Sequence, residues 1–244
     1  TSDPPGKEGI AHLVEHLWFR SHQLQADGTP FPKIWDLLEE MGGVLNAFTA
    51  DDLTCYMTVA PADKLPILMG FEGMRQRNAI VGVTEETLVI EREVVRNELR
   101  FRYENNIGAV FGQVFTRLFP QSHPYGRTAY AGIGNNDSLN AIHIEDVQQF
   151  VKDNYGPDKT TIFVVGDFKL DQANSYLQAL GTDLMVDPAN PRAPLALVPP
   201  RPHSTGKIVE PPAPVSPIEV KGGLQKIDVI HGPVKKKLVV LAWS

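Results

Sequence analysis

The sequence predicts an α+β fold, with a mostly antiparallel sheet and helices packed on one face of it. Three observations lead to this prediction. Apolar residues recur at helical spacing in several segments of 10 to 20 residues. Two β-rich runs, Val44–Thr49 and Thr54–Val59, flank a polar turn at Asp51 and Asp52, which is typical of a hairpin. A third β-rich run covers Thr160–Asp167.

Composition excludes several classes of function. The formal net charge is −6, so no basic face for nucleic acid is expected. No run of about 20 apolar residues occurs, so no membrane span is predicted. Cys55 is the single cysteine, which rules out an internal disulfide and is expected to be a small buried residue. A bacterial periplasm or cytoplasm and an organelle matrix are all compatible with this composition.

The first predicted helix, Gly9–Phe19, carries an H-x-x-E-H pattern made of His12, Glu15 and His16. Residues three and four apart lie on one face of a helix, so both imidazoles can point at one ion. Two neutral imidazoles at this spacing suit Zn²⁺, and a nearby carboxylate that is not a ligand can take a proton from water. The alternative is a pair of ordinary histidines, because a zinc site needs a third ligand from elsewhere in the chain.

The following elements are predicted from the periodicity of apolar residues and from the Gly and Pro residues that end helices and strands. A helix over Lys33–Met41 ends at Gly42 and Gly43, and the hairpin precedes a helix from about Pro61 to Arg77. Beyond the middle of the chain we expect helices over Ile107–Phe119, Ile144–Asn154 and Leu170–Leu180, a turn at His123–Gly126 and a buried strand at Thr160–Asp167.

The helix from the predicted N-cap Thr84 to about Tyr103 offers acidic candidates for the third ligand. Glu91 and Glu98 are seven residues apart, or two turns, and therefore share a face. The alternative is a solvated face of Glu–Arg pairs. The apolar surroundings and the missing third ligand favour a site.

The C-terminal part of the chain changes in composition. Ten of the 20 prolines lie between Pro188 and Pro217, which indicates a linker or a surface wrap. We therefore expect a first domain, which carries the candidate zinc site, over residues 1–186, a Pro-rich linker or surface wrap over 187–217 and the start of a following module over 218–244. The strand-like run Lys237–Ser244 ends the sequence without a closing element, so we expect the natural protein to continue.

Four blocks in this order resemble the insulinase/pitrilysin family of inverted zincins, which includes mitochondrial processing peptidase and its bacterial relatives. They cover about residues 3 to 185 and lie at Gly9–Leu17, at Gly42–Thr49 with Thr54 and Tyr56, at Glu91–Glu98, and at His123–Gly126 with Tyr155–Pro157 and Val164–Asp167. The resemblance implies a metallopeptidase half-domain of the inverted zincin type. The segment after Phe19 differs from the short Gly-Thr turn that is common in relatives.

By this resemblance, His12, His16 and Glu98 are the zinc ligands and Glu15 is the general base that activates the zinc-bound water. Glu91 matches the nearby acid that supports catalysis from behind the ligands. Glu93 is the alternative ligand if the register is misread, but the two acids of the family are seven apart, as Glu91 and Glu98 are.

The resemblance also implies a substrate and a partner. The strand around Asn46, Ala47, Phe48 and Thr49 matches the edge onto which family members lay an extended peptide, although a plain core hairpin is the alternative. Family enzymes enclose the peptide between two homologous halves, in one chain or in two subunits, possibly as a homodimer or heterodimer.

Three functional hypotheses follow. The first is a zinc endopeptidase that cleaves extended or unfolded peptides. The second is a non-catalytic family subunit that binds peptides or acts as a scaffold, although such members usually lose motif residues. The third, an unrelated protein with an accidental motif, is disfavoured by four ordered blocks.

Overall fold

The computed structural model describes residues 2–22, 33–77, 79–104, 117–127, 132–156 and 159–179. The helices within these ranges are α1 (Ile10–Arg20), α2 (Ile34–Glu40), α3 (Leu65–Arg77), α4 (Glu85–Leu99), α5 (Pro124–Arg127), α6 (Asn136–Asn140), α7 (Ile144–Asn154) and α8 (Leu170–Ala179). The strands are β1 (Val44–Thr49) and β2 (Thr54–Val59). A 3₁₀ turn at Ala62–Lys64 precedes α3, and a π-helical turn at Arg100–Glu104 follows α4. The predicted α+β class is confirmed.

The two strands form an antiparallel hairpin in which Val44 pairs with Val59 and Thr49 pairs with Thr54. Leu45 is buried on one face, whereas Val44 and Val59 are exposed on the other. Successive residues of a strand point to opposite faces. The face that carries Leu45, Ala47 and Thr49 is therefore the one that turns toward α1.

Helix α1 lies in the centre of the core and packs against α4, α7 and both strands. Five of its apolar residues are almost completely buried: Ile10, Leu13, Val14, Leu17 and Trp18. From α4, Leu88, Val95 and Leu99 join the same cluster. A helix buried on most sides holds its polar side chains in fixed positions, because the surrounding core is close-packed.

Helix α4 begins as the sequence predicts. The hydroxyl of Thr84 accepts a hydrogen bond from the backbone N–H of Thr87, which is an N-cap contact. Glu85 and Glu86 occupy the first turn, where the helix dipole favours acids.

Two local predictions are wrong. Residues 160–167 form no strand within the described structure, and Phe163 and Val165 are 84% and 94% exposed instead of buried. A run of apolar and β-branched residues is not sufficient for a strand, because a ladder also needs a partner strand. At His123–Gly126 a short helix replaces the expected turn, since Pro124 suits the first helical position.

The other elements agree with their predictions to within a few residues, and α6 was not predicted. Its signal is Asn135, whose side chain accepts from the N–H groups of Asp137 and Ser138. Most of the predicted helix over 107–119, the Pro-rich segment and the final strand-like run lie outside the described residues. In the part of the chain that the structure describes, no helix has the length and apolar character needed to cross a membrane.

Candidate metal centre

The polar residues of the H-x-x-E-H pattern lie on the inner side of α1. His12 and Glu15 are only 6% and 7% exposed, and His16 is partly buried. Burying polar groups among apolar residues costs free energy unless they have partners. These side chains are therefore expected to meet other polar groups, and they do so at α4.

Helix α4 brings Glu98 to both imidazoles. The Oε2 atom of Glu98 lies 3.6 Å from His12 Nε2 and 3.4 Å from His16 Nε2. One ligand atom from each of the three side chains lies within 4.8 Å of the others. Among the described residues, this is the one group of three His, Cys, Asp or Glu side chains that could hold a metal ion.

The two distances from Glu98 to the imidazoles are close to those expected at a tetrahedral ion. Ligand atoms 2.0–2.1 Å from a tetrahedral zinc lie roughly 3.3–3.4 Å apart, close to the two distances from Glu98. Two nitrogens and one oxygen are also the donor set that zinc accepts at sites with an open fourth position. By contrast, Glu93 pairs with the guanidinium of Arg96 on the exposed side of α4. The geometry favours Glu98 over Glu93.

Glu91 lies behind His16 and is not among the converging ligand atoms. Its Oε2 is 3.2 Å from His16 Nδ1, and its Oε1 accepts a hydrogen bond of 2.6 Å from Arg20 Nε. A carboxylate on the far nitrogen of a histidine fixes the orientation of the ring and the tautomer that presents Nε2. Glu91 therefore orients His16, while Nδ1 of His12 is buried with no hydrogen-bond partner among the described residues.

The two histidines differ in protonation. Burial, reinforced by the nearby charge of His16, lowers the pKa of His12 to about 4. Burial also opposes the charged form of His16, but hydrogen bonds to Glu91 and Glu98 outweigh it and raise the pKa of His16 to about 9. Burial opposes the charged form of Glu98 as well, but the hydrogen bond with His16 and the nearby charges of His12 and Arg102 hold the pKa of Glu98 below its ordinary value. The protein groups by themselves therefore pair a cationic His16 with two carboxylates.

Glu15 lies beside this cluster and is held by the hairpin. Thr49 Oγ1 donates a hydrogen bond of 2.5 Å to Glu15 Oε2. Burial raises the pKa of Glu15, and the hydrogen bond from Thr49 partly opposes that rise. A carboxylate with a raised pKa is a better proton acceptor at neutral pH than an ordinary glutamate.

Sequence reasoning missed two arginines at the site. Arg20 bonds Glu91, and Arg102 Nη2 lies 2.9 Å from Glu98 Oε1, the oxygen that faces away from the imidazoles. The signal was available, because Arg20 follows His16 and Arg102 follows Glu98 by four residues each, or one helical turn. Arg102 reaches Glu98 from the π-helical turn after α4.

The predicted peptide-binding residues all lie on β1. Asn46 and Phe48 are on the exposed face, whereas Ala47 and Thr49 are on the face toward α1. Within the described residues β1 pairs only with β2, and the N–H of Ala47 donates to the neighbouring side chain, Asn46 Oδ1, at 2.9 Å. The edge of β1 away from β2 therefore carries backbone groups that another strand could pair with.

Two family models match the chain. The model described as insulinase, peptidase family M16, matches residues 1–104, which include α1, the hairpin and α4. The model described as the peptidase M16 inactive domain matches residues 141–243. The residues of the candidate metal centre all lie within the first match.

Curated relatives include proteins named as zinc proteases. The chain is 31% identical over 162 residues to the zinc protease PqqE of Helicobacter pylori, covering 66% of this chain and 34% of the relative. It is 29% identical over 161 residues to the beta subunit of the mitochondrial-processing peptidase of Dictyostelium discoideum, covering 65% and 32%. The chain thus spans about a third of the length of these relatives.

Solved structures show the same fold. A protease from Helicobacter pylori superposes with a TM-score of 0.60 at 26% identity, over 74% of this chain and 42% of that one. The first half of the periplasmic protease PqqL from Escherichia coli gives a TM-score of 0.60 at 22% identity, over 76% and 39%. The two family models, the zinc protease relatives and these folds agree, and the chain belongs to the insulinase family of peptidases, peptidase family M16.

Proposed function

We propose that this chain is the catalytic half of a zinc-dependent endopeptidase that cleaves extended or unfolded peptides. The observation that carries the proposal is the convergence of His12 Nε2, His16 Nε2 and Glu98 Oε2, with the buried Glu15 beside them. His12, His16 and Glu98 would hold the ion. The zinc protease relatives support a metallopeptidase in general terms.

Each residue of the site has a distinct task in the proposed reaction. A bound zinc ion polarises a scissile carbonyl and acidifies water. Glu15 takes the proton of the attacking water and returns it to the leaving amine. Glu91 keeps His16 oriented, and Arg102 holds the outer oxygen of Glu98 so that Oε2 faces the imidazoles.

The peptide is proposed to add to the free edge of β1 as a further strand. Such pairing reads the peptide backbone, so it suits extended segments of varied sequence. The N–H of Ala47 is positioned to donate to a peptide carbonyl once it leaves the side chain of Asn46. Phe48 lies on the exposed face and Thr49 lies next to Glu15, so the added strand would pass along the metal centre.

The first test is the zinc content of the dialysed chain, measured by elemental analysis against protein concentration. We expect about one zinc per chain, and we expect Glu98→Gln to lose it because one of three ligands is gone. Glu93→Gln is the matched control on the same helix and should keep its zinc. Zinc retained by Glu98→Gln and lost by Glu93→Gln would place the third ligand at Glu93.

The second test separates metal binding from cleavage. Glu15→Gln should keep its zinc and lose hydrolysis of an unfolded peptide, because the amide cannot accept the proton of water. Retained hydrolysis would refute the role of Glu15 as base. The alternative, a peptide-binding subunit without catalysis, is favoured by the match of residues 141–243 to a domain described as inactive. It predicts that the zinc-loaded wild-type chain binds peptide but does not cleave it, even when a homologous second half is added.

A further inference from the structure

Glu91 is a buried carboxylate that spans two turns of α1. Only 3% of the residue is exposed, so its charge needs partners within the protein. Its Oε2 lies 3.2 Å from His16 Nδ1, and its Oε1 accepts a hydrogen bond of 2.6 Å from Arg20 Nε. His16 and Arg20 are four residues apart and therefore lie on the same face of α1, one turn from each other. Each oxygen of Glu91 thus has its own partner on α1.

The hydrogen bond from Arg20 limits the rotation of the Glu91 carboxylate. The last torsion of a glutamate side chain is broad and roughly two-fold, so a contact at one oxygen leaves the plane of the group loosely set. A second hydrogen bond at the other oxygen fixes that plane. The bond from Arg20 Nε joins two charged groups, which places it among the stronger hydrogen bonds. The fixed plane in turn sets the direction from which Oε2 meets His16 Nδ1.

Arg20 is itself held in place at its backbone. It is the last residue of α1, and the backbone N–H and the hydroxyl of Ser21 both donate to the carbonyl of Trp18, at 3.1 and 2.7 Å. The helix therefore ends at a defined point directly after Arg20. The side chain of Arg20 is 56% exposed, so its charge stays in contact with water while that of Glu91 is buried. Only one of the two charges is then fully desolvated, which limits the cost of this ion pair.

We propose that Arg20 is a positioning residue that holds the carboxylate of Glu91 against His16 and thereby keeps His16 Nε2 directed at the metal centre. This inference rests on the proposed zinc site of His12, His16 and Glu98. His16 Nε2 lies 3.4 Å from Glu98 Oε2, and a rotation of the imidazole would carry Nε2 away from that oxygen. Arg20 acts on the site through Glu91, one step further from the ion.

Arg20 also has a simpler role to be separated from this one. It is the basic residue in the last turn of α1, where a cation interacts favourably with the helix dipole. The two roles differ in their effect on zinc. Removal of a positive charge near a cation site strengthens binding of the cation, because a repulsion is lost. Loss of positioning weakens binding, so the two roles predict opposite changes in the zinc dissociation constant.

The zinc dissociation constant of the 244-residue chain, measured by competition with a chelating dye, tests the positioning role. Arg20→Met keeps the aliphatic stem of the side chain and removes the guanidinium. We expect this variant to raise the dissociation constant about 10-fold, at the lower end of the range for outer partners of a metal site. An unchanged or lower dissociation constant in Arg20→Met would overturn the proposal.

Arg96→Met is the matched control for loss of a cation at a helix end. Arg96 is the basic residue in the last turn of α4, and it also pairs with a glutamate, Glu93, on the exposed side of that helix. It should keep the zinc dissociation constant of the wild-type chain. An equal rise in Arg20→Met and Arg96→Met would overturn a specific role of Arg20.

A double-mutant cycle shows whether Arg20 acts through Glu91. Glu91→Met removes both acceptor oxygens, so Arg20→Met should have little further effect on the zinc dissociation constant in that background. A further rise of about 10-fold in the double variant would overturn the route through Glu91, because it would equal the effect expected of Arg20→Met alone.

The same four proteins are also unfolded in urea with a chelator present, which needs neither zinc nor cleavage. The factor by which Arg20→Met lowers the equilibrium constant for folding should be at least about two-fold smaller in the Glu91→Met background. Additive effects would overturn the proposal. Failure of the proposed function is distinguishable, because a wild-type chain that takes up no zinc would refute the zinc site, while this cycle would still decide whether Arg20 holds Glu91.

Discussion

At the scale of single residues, the start of helix α1 depends on a side chain that lies outside it. Gly9 is the N-cap of α1 and has no side chain with which to cap it. Asp3 takes over this task, because its Oδ2 accepts from the N–H of Gly9 at 2.7 Å and its Oδ1 accepts from the N–H of Ala11 at 3.3 Å. Asp3 therefore anchors the first turn of α1 through both of its carboxylate oxygens.

We predict that Asp3→Ala lowers the free energy of unfolding by about 1 kcal/mol, within the range for a lost helix cap. Urea unfolding at neutral pH measures the change. Asp36→Ala is the control, because Asp36 also lies in the first turn of a helix but is exposed there. It should change the free energy by less than about 0.5 kcal/mol.

The pH dependence of this effect has a definite sign. Burial raises the pKa of Asp3 above its ordinary value, even though the backbone N–H groups of Gly9 and Ala11 favour the charged form. The folded chain therefore binds this proton more tightly than the unfolded chain, and protonation of Asp3 stabilises the fold as the pH drops through the raised pKa. Asp3→Asn cannot titrate at this position. We expect wild type to gain stability relative to Asp3→Asn as the pH is lowered from 7, which urea unfolding at several pH values measures. A loss of stability relative to Asp3→Asn over the same pH range would contradict the raised pKa of Asp3.

At the scale of elements, the start of α1 is pressed against the loop before α6. Gly9 has φ 98°, and a Cβ atom there would lie 2.3 Å from the carbonyl oxygen of Ile133. Gly134 has φ +86°, and its Cβ would lie 2.1 Å from the carbonyl oxygen of Glu8. Ser138 Oγ donates to the same carbonyl at 2.7 Å. The backbone of this loop thus sets where α1 begins.

Gly6 provides a matched control for Gly9, since it has φ +80° but a methyl group added there would meet nothing within 4 Å. We predict that Gly6→Ala costs about 1 kcal/mol from the left-handed backbone alone. Gly9→Ala should cost about 2 kcal/mol more, because backbone atoms must also move. Urea unfolding of the two variants measures the difference. Equal costs would show that the backbone at Ile133 moves away from the added methyl group without loss of stability.

At the scale of the whole molecule, we propose that a second homologous half completes the peptidase. The chain spans about a third of its curated relatives, and it matches the first half of PqqL in fold. The candidate metal centre lies within α1 and α4 and should form without that half. Enclosure of the substrate should require that half, because the free edge of β1 provides only one wall of the space around the peptide.

We therefore predict that the chain alone binds zinc but hydrolyses peptide slowly. Adding a homologous second half should raise kcat/KM by about two orders of magnitude, the scale of effect that correct positioning supplies. Peptide hydrolysis with and without the added half measures this. The same addition to Glu15→Gln is the control and should give no activity. Full activity of the chain alone would show that enclosure is not required.

The sequence by itself determined the local features of this protein. The apolar period of Gly9–Phe19 predicted α1, because helical spacing is a property of the local backbone. For the same reason the face shared by His12, Glu15 and His16 was predictable, as were the hairpin and the N-cap at Thr84. Where a local pattern needed a distant partner, as at Thr160–Asp167, prediction failed.

Only the tertiary structure decided which distant groups meet. Spacing along α4 left both Glu98 and Glu93 as candidates, and the packing of α4 on α1 is what brings Glu98 to the two Nε2 atoms and Glu91 to the far side of His16. The family resemblance predicts that Thr49 belongs to a peptide-binding strand, whereas only the fold shows that its hydroxyl also reaches Glu15. Periodicity orients a side chain relative to its own helix or strand. The distance between two elements depends on how their buried faces pack, and a local pattern does not contain that information.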